Sequence, residues 1–435
     1  MLTNPRAADR AEVRERVHAG VAAVDGEMIG FLQQLTRIPT ENPPGHEYAR
    51  CAAFLGQRLE RLGYDVVYPS VPEDQLDALA PHGRGLPRVN VMARLPGTTA
   101  RPVLHFNGHY DVVPAGDGWS VNPFEGLIRD GRIYGRGVSD MKGGIAAQVY
   151  AIEALRFVDF ALRGTVEQSF VPDEESTGNR NAGMGFLVEE GYIGPDRTDF
   201  VVITEPLEVG NVCLGHRGTI QGAVETIGRQ AHGAMPERGV NAIEKMSLAI
   251  AAIERELKPL LRERRSALHV IPESAAGSSI TIGTIAGGTS TNTVAAHCRA
   301  TFDRRLVESE TVEGARAELL AIFERLAAQD PDFQYRYHEH YATDPVWVGT
   351  ETRVGAAVGA GIRTVLGREP GAVCSPGTDD QRFVVNTAGL RECVLYGPGE
   401  IRQTHVIDES LALADLRVAA EVLALTTLEL LGWEQ

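Results

Sequence analysis

The sequence predicts an α/β protein, with a large domain whose mixed, mostly parallel sheet is flanked by helices and interrupted by a smaller inserted α+β domain. Three observations lead there. Up to about residue 206, short, nearly all apolar runs alternate with segments of helical period, as strands covered on both faces do. After about residue 214 the strands alternate in and out instead, the mark of a sheet open on one face. At 435 residues the chain also exceeds what one core usually fills.

Each element follows from local chemistry. Residues 10–36 have charged and apolar positions at helical spacing. IPTENPPG (38–45) is a loop, with Asn42, Pro43, Pro44 and Gly45 as breakers. A helix over about 46–63 closes at Gly63, a residue type suited to the left-handed position after a last turn. YDVVYPS (64–70) is a strand, and residues 71–88, rich in Pro and Gly, form a surface loop. Strands follow at VNVMARL (89–95), PVLHFNGHYDVVP (102–114) and RIYGRG (132–137). A helix at 141–157 precedes the strand GTVEQSFVPDEE (164–175), a helix over about 181–191 and the strand DFVVITEP (199–206). In the insert, HRGTIQGAVETIGR leads to a helix (240–263), two strands (SSITIGTIAGG and HCRATFDRRL) and a helix (310–328). ECVLYGPG (392–399) and a last helix (409–432) close the chain. The expected division is 1–214 with 329–435 as one domain and 215–328 as the insert.

Composition excludes several functions. The 42 basic and 58 acidic residues give a net charge of −16. A duplex binder needs a basic face to displace counterions, so nucleic acid is not the expected partner; nor is an anionic membrane surface. No apolar run approaches the ~18–20 residues of a spanning helix, and MLTNPRAADRAEVRERVHAG lacks the apolar core of a signal peptide. Cys51, Cys213, Cys298, Cys374 and Cys393 are scattered, odd in number and never C-x-x-C, which argues against disulfides or a thiolate metal site. A soluble, cytoplasmic protein is expected.

The chemical signal is a set of His and acidic residues at strand ends. His109 and Asp111 form H-x-D, and strand alternation lets both project to one side. Asp140 lies in GRGVSDMKGG just before a helix, Glu174 and Glu175 end FVPDEE, Glu205 ends VVITEP, and His405 lies in GPGEIRQTHVIDE. Acids at the ends of apolar strands are costly to bury alone, and a divalent cation is the simplest partner. Strand ends of an open α/β sheet converge at its carboxyl edge. Imidazoles with carboxylates and no thiolates suit Zn²⁺, Mn²⁺ or Co²⁺. His105 shares a strand face with His109 but sits four residues back, ~13 Å away and out of reach.

GHYDVVPAGDGWSVNPFEGLIRDGRIYGRGVSDMKGG, VPDEESTG, ITEP and a late GPG…H resemble the M20 family of metallopeptidases, which includes acetylornithine deacetylase, succinyl-diaminopimelate desuccinylase, aminoacylase and glutamate carboxypeptidase. The resemblance runs from IPTENPPG to HVIDES. It implies a zinc-peptidase-like large domain, an insert serving as lid and dimerisation domain, and a homodimer. It implies two divalent ions, Zn²⁺ first, with Asp140 bridging, His109 and Glu205 completing one site, and Glu175 and His405 the other. Asp111 would orient His109, and Glu174 would be the general base. A cis peptide is implied after Asp140. RQAHGAMPERGVNAI matches the segment whose His, here His232, reaches the oxyanion from the partner subunit. Asn292 and Arg305, with Arg304 as the alternative, would hold a substrate carboxylate; Gly377 and Thr378 match a substrate-binding turn. The implied activity is hydrolysis of the amide bond of a small N-acyl amino acid. The alternatives are a dipeptidase or carboxypeptidase, an N-carbamoyl amino acid amidohydrolase, and a non-catalytic ligand-binding relative, which would have no need of Glu174.

Overall fold

The computed structural model describes residues 7–434 apart from Thr177. The chain divides into two compact units. The first comprises residues up to Gly215, Val348–Val373 and those from Asp379 onward; the second is His216–Trp347 with Cys374–Thr378.

The first unit is built on a mixed sheet. From one edge its strands run Asp65–Val67, Val91–Leu95, Thr165–Val171, Val103–His109, Phe200–Pro206, Cys393–Gly397 and Asn211–His216, with Gly371–Ser375 also paired to the last. The four central strands are parallel neighbours. Thr165–Val171, Val103–His109 and Phe200–Pro206 are buried at every position, and polar side chains among them are paired inside, as Ser169 is with His105 and Asn107. The helix Lys142–Phe157 is buried almost all round. Gly144 makes its position possible: a Cβ there would lie 2.0 Å from the Thr204 carbonyl oxygen, so only glycine lets this helix start against the strand that carries Glu205. The helix Ala7–Thr36 packs on it, as does Leu413–Leu431. Tyr48–Arg61 is followed by Gly63 at φ +86°. The 71–88 loop contains a 3-10 turn, Glu73–Gln75, that runs into a short helix, Leu76–Leu79. Among the described residues no helix is long and apolar enough to cross a membrane. The five cysteines are buried and form no disulfide.

The second unit is a four-stranded antiparallel sheet in the order Ser279–Gly287, His297–Leu306, Gly218–Ile227, Gln334–Thr343. Its core joins Ile220, Val224, Ala300 and Phe302 of the sheet to Met246, Leu319 and Phe323 of the helices Ala242–Ala252 and Val312–Gln329. The expected boundary at 328 is corrected. Gln334–Thr343 pairs with Thr219–Ile227, across one register shift, and completes this sheet, so the unit runs to Trp347. Gly377 and Thr378, expected with the large domain, group here as well.

His297–Leu306 alternates strictly, with Cys298, Ala300, Phe302, Arg304 and Leu306 buried. Parity therefore sends Arg304 inward, where Arg304 Nη2 donates to Glu310 at 2.5 Å and Nη1 to the Arg305 carbonyl at 2.7 Å. This fixed role removes Arg304 as the alternative to Arg305. Burial opposes charge on Glu310, but hydrogen bonds from Ser278 and the Val307 N–H, together with Arg304 and Arg264, hold it below the ordinary value of 4.5. A depressed carboxylate contributes stability above its unfolded pKa and loses it as pH falls through the folded value. Wild-type protein should therefore lose stability on acidification below about pH 4.5 more steeply than Glu310→Gln, as read from denaturant midpoints at stepped pH. Parallel curves would show that Glu310 does not carry the acid sensitivity.

Candidate metal centre

The parallel strands deliver the acidic residues to one edge. His109 is the last residue of its strand, and Glu205 is the last but one of the neighbouring strand. Glu174 and Glu175 come just after Val171, in the loop that leaves the third. Asp111, expected within its strand, lies two residues beyond its end. Asp140 precedes the helix Lys142–Phe157, and the Asp140–Met141 peptide is cis. His405 adopts φ +60°, a left-handed region that non-glycine residues enter rarely.

These side chains meet. His109 Nε2 lies 3.2 Å from Asp140 Oδ1, 3.4 Å from Glu205 Oε1 and 4.0 Å from Glu174 Oε2. His405 Nε2 lies 3.4 Å from Asp140 Oδ2 and 2.9 Å from Glu175 Oε2. The two oxygens of Asp140 thus face different imidazoles, each with its own further carboxylate. Among the described residues, two groups have ligand atoms close enough to share one ion: His109, Glu174 and Glu205, and His109, Asp140 and Glu175; His405 is in neither.

Charge is concentrated here. Burial and then Asp140 push Glu205 up to about 8 against the pull of His109. Burial raises Glu174 well above the carboxylate range, with Glu205, Asp380 and Glu175 adding to it. Burial would raise Asp140 too, but hydrogen bonds from His109 and His405 hold it below its ordinary value. Burial works against charge on His109, yet Glu205, Asp140 and Glu174 outweigh it and raise its affinity for a proton. Hydrogen bonds to Asp140 and Glu175 raise His405 to about 10. Two imidazoles and several like-charged acids at these spacings form a donor set that suits a divalent ion with nitrogen and oxygen preference.

A layer of buried groups holds the donors. His109 Nδ1 is 3.0 Å from the Asp111 carbonyl and 3.6 Å from its Oδ1, so backbone and carboxylate both face the ring. The Asp111 carboxylate accepts from the N–H groups of Glu174 and Glu175 and from Asn42 Nδ2. Asp173, at φ +60°, accepts from Arg88 Nε at 2.6 Å and from the Tyr48 hydroxyl at 3.0 Å. Arg88 also donates to the Pro44 carbonyl, and the ring of hydrogen bonds that returns through Asn42 and Asp111 encloses the start of the Glu174 loop. Glu409 accepts from the N–H groups of Gly137, Ser139 and Asp140 and from Arg136. Sequence reasoning did not single out Asn42, Arg88, Asp173 or Glu409. An acid adjoining a proposed base, as Asp173 does, was the available signal. His105 is buried against Ser169 and Glu167, in a structural role.

The remaining residues expected to bind substrate lie on the second unit. His232 is exposed and pairs with Thr293 across a two-stranded ribbon, which brings it next to Asn292. Gly233 N–H donates to the Asn292 carbonyl at 2.7 Å. Arg305 points to the sheet face away from the helices and pairs with Asp303. Thr378 accepts from the Tyr341 hydroxyl at 2.9 Å, and Gly377 beside it is half-buried.

The model of peptidase family M20/M25/M40 matches residues 105–429. The chain belongs to this family. Succinyl-diaminopimelate desuccinylase of Methylorubrum extorquens is 30% identical over 402 residues, covering 90% of this chain and 96% of that one. Human carnosine dipeptidase 1 has the same fold, with a TM-score of 0.75 at 19% identity over 96% of this chain and 98% of that one. An M20 family metallo-carboxypeptidase from Sulfolobus solfataricus gives 0.73 at 20% identity over 93% and 99%. The chain is a hydrolase of the M20 peptidase type, as its motifs imply.

The Arg88–Asp173 pair is 1% exposed on both sides. Arg88→Met leaves a buried carboxylate uncompensated and should cost about 3–5 kcal/mol. Adding Asp173→Asn should recover part of that loss in chemical denaturation. A double variant as unstable as the sum of the two single ones would show that the two residues do not act as a pair.

Proposed function

We propose that this chain removes the acyl group from a small N-acyl amino acid, in the manner of a deacetylase or desuccinylase, using two divalent ions, with Zn²⁺ the first choice. The observation that carries the reading is Asp140: each of its oxygens faces a different imidazole, and each imidazole has its own acid, Glu205 or Glu175. His109 and Glu205 would hold one ion, His405 and Glu175 the other, with Asp140 shared. Such a pair supplies Lewis acidity at the scissile carbonyl and makes water more acidic.

The protein's own groups do the rest. Glu174, whose carboxylate lies 4.0 Å from His109 Nε2, takes the proton of the attacking water and delivers it to the leaving nitrogen. Asp111 keeps the His109 ring oriented and, through two backbone N–H groups, fixes where Glu174 stands. Arg305 and Asn292, with the Gly377–Thr378 turn, would grip the substrate carboxylate, Arg305 by a two-point fork. His232 would donate to the developing oxyanion from the partner subunit of a homodimer joined through the insert. Ile243, Leu248 and Ile285, exposed apolar side chains of the second unit, support such a surface. Five cysteines outside any disulfide suit a reducing compartment, which supports a cytoplasmic location.

Glu174→Gln should lower kcat by at least about 10²–10⁴-fold while metal content, read by atomic absorption, stays at the wild-type level. Turnover near wild type would remove Glu174 as the base. A panel of acetyl, succinyl, formyl and carbamoyl amino acids and dipeptides, assayed with added Zn²⁺, Mn²⁺ or Co²⁺, separates deacylation from peptidase and carbamoyl chemistry by product. No turnover on any member would end the proposal.

His405 holds its proton up to about pH 10 in the metal-free protein, and a ligating imidazole must be neutral. Zn²⁺ uptake at pH 7 should therefore release protons, and its affinity should rise with pH. Calorimetry in two buffers of different ionisation enthalpy reads this directly, and identical heats in both would contradict it.

A further inference from the structure

Lysine is among the residues least often buried, because its ammonium is costly to remove from water. Lys142 is nonetheless fully buried, two residues after Asp140. Its ammonium meets no carboxylate at ion-pair distance among the described residues. Nζ donates instead to the Ile38 carbonyl at 2.8 Å and to the Leu35 carbonyl at 3.2 Å. Those carbonyls lie at and just past the end of the helix Ala7–Thr36, where a helix presents unpaired acceptors and the negative end of its dipole.

What lies beyond them gives the placement its meaning. The Ile38 carbonyl also accepts from the Thr40 N–H at 2.9 Å. The Thr40 hydroxyl donates to the Tyr110 carbonyl, the Thr40 carbonyl accepts from the Val112 N–H at 2.9 Å, and the Asn42 N–H donates to the Val112 carbonyl at 2.8 Å. Residues 38–42 are thus laced to residues 110–112, which directly follow His109 and include Asp111. On the other side, the Lys142 N–H donates to the Gly137 carbonyl at 2.8 Å and closes the turn that carries Asp140. The two sides also touch at Gly137, where a Cβ would lie 2.4 Å from Val112 Cγ1 and 3.4 Å from Lys142 Cδ.

We infer that Lys142 is a positioning residue, whose side chain is a strut that fixes the Asp140 turn against the 38–42 segment and so sets the spacing of His109 and Asp140 on which metal binding depends. The 3.2 Å between His109 Nε2 and Asp140 Oδ1 is the quantity it controls. An ammonium suits the task, because it brings three donors on a long stem and its bonds to carbonyls are charge-assisted. The inference rests on the dinuclear reading above and adds to it a residue outside the ligand set.

The test reads the metal and not turnover. Zn²⁺ affinity is measured at fixed pH by competition with a chromophoric chelator, and the visible spectrum of the Co²⁺-loaded protein is recorded. Lys142→Met keeps the stem without the ammonium, and Thr40→Val removes the bond to Tyr110 at the far end of the strut. Lys142→Met should weaken Zn²⁺ by about 10–100-fold, the usual effect of losing a group that orients metal ligands, and should alter the Co²⁺ spectrum. Thr40→Val should also weaken Zn²⁺, and the double variant should fall short of the product of the two effects, because both cut one path. Lys142→Gln, which keeps a neutral donor, should lie between Lys142→Met and wild type, and it carries the comparison where Lys142→Met does not fold. Leu155→Ala, a buried position near the far end of the helix Lys142–Phe157, is the control for general loosening. It should lower the denaturant midpoint while Zn²⁺ affinity stays within about twofold of wild type and the Co²⁺ spectrum is unchanged. Wild-type affinity in Lys142→Met, multiplicative effects in the double variant, or an equal loss of affinity in Leu155→Ala would overturn the inference. Asp140→Ala separates it from the reading beneath. Zn²⁺ bound as in wild type by that variant would sink the dinuclear reading and the strut with it. Loss of Zn²⁺ from Asp140→Ala but not from Lys142→Met would sink the strut alone.

Discussion

The first unit is organised around one electrostatic constraint: carboxylates from separate parts of the chain must be held a few ångströms apart with little water to screen them. Asp140, Glu174, Glu175 and Glu205 all lie within reach of two imidazoles. In a low-dielectric setting this concentration of like charge is unfavourable, as the raised proton affinities of Glu174, Glu175 and Glu205 show. Only a rigid frame can enforce it. The parallel strands provide the coarse placement, because their carboxyl ends lie side by side. Gly144 provides the close approach that brings the Asp140 segment against the strand of Glu205.

Fine placement comes from a second set of acids, each satisfied by N–H donors. Asp111 accepts two backbone N–H groups and the Asn42 amide, and Glu409 accepts three backbone N–H groups and Arg136. A carboxylate is the side chain suited to both positions, because it accepts through both oxygens and donates through neither. An amide in either place would turn an NH₂ group towards a backbone N–H. The loops that carry Glu174, Glu175 and Asp140 are therefore fixed through their backbones, which leaves the side chains of those residues free for the centre itself.

The strand-end acids and histidines were legible in the sequence because their chemistry contrasts with the apolar runs they follow. The frame acids were harder to see. Glu409 and Asp173 look like ordinary loop acids, and their partners lie 269–273 and 85–125 residues away in the chain. The end of the insert was misplaced for a related reason. QYRYHEHYAT carries charged or polar groups on both faces, so its alternation is weak, and only its pairing with Gly218–Ile227 marks it as part of that sheet. The helix Arg353–Leu366 went unassigned because its glycines, Gly355, Gly359 and Gly361, depress helix propensity. The structure uses them for packing: a Cβ on Gly361 would come within 3.1 Å of the Val422 side chain on the helix Leu413–Leu431, and one on Gly355 within 2.8 Å of Thr352 Oγ1.

Arg304 and Arg305 show how far residue type alone falls short of role. They are neighbours with the same side chain, and the two-residue period of a strand sends them to opposite faces. Arg304 is enclosed by Ser278, Glu310 and Glu318 and serves stability. Arg305 is left on the open face, but it is not idle. Asp303, on the same face, takes both its Nε and an Nη, and Asp303 is itself held by Thr219 and Gln221. A carboxylate arriving at Arg305 must share the guanidinium with Asp303 or displace it. That competition costs binding free energy, because a two-point ion pair is exchanged for another of the same kind instead of being formed from water. Arg305 is thereby suited to orienting an anion that other groups also hold, and less suited to selecting one alone.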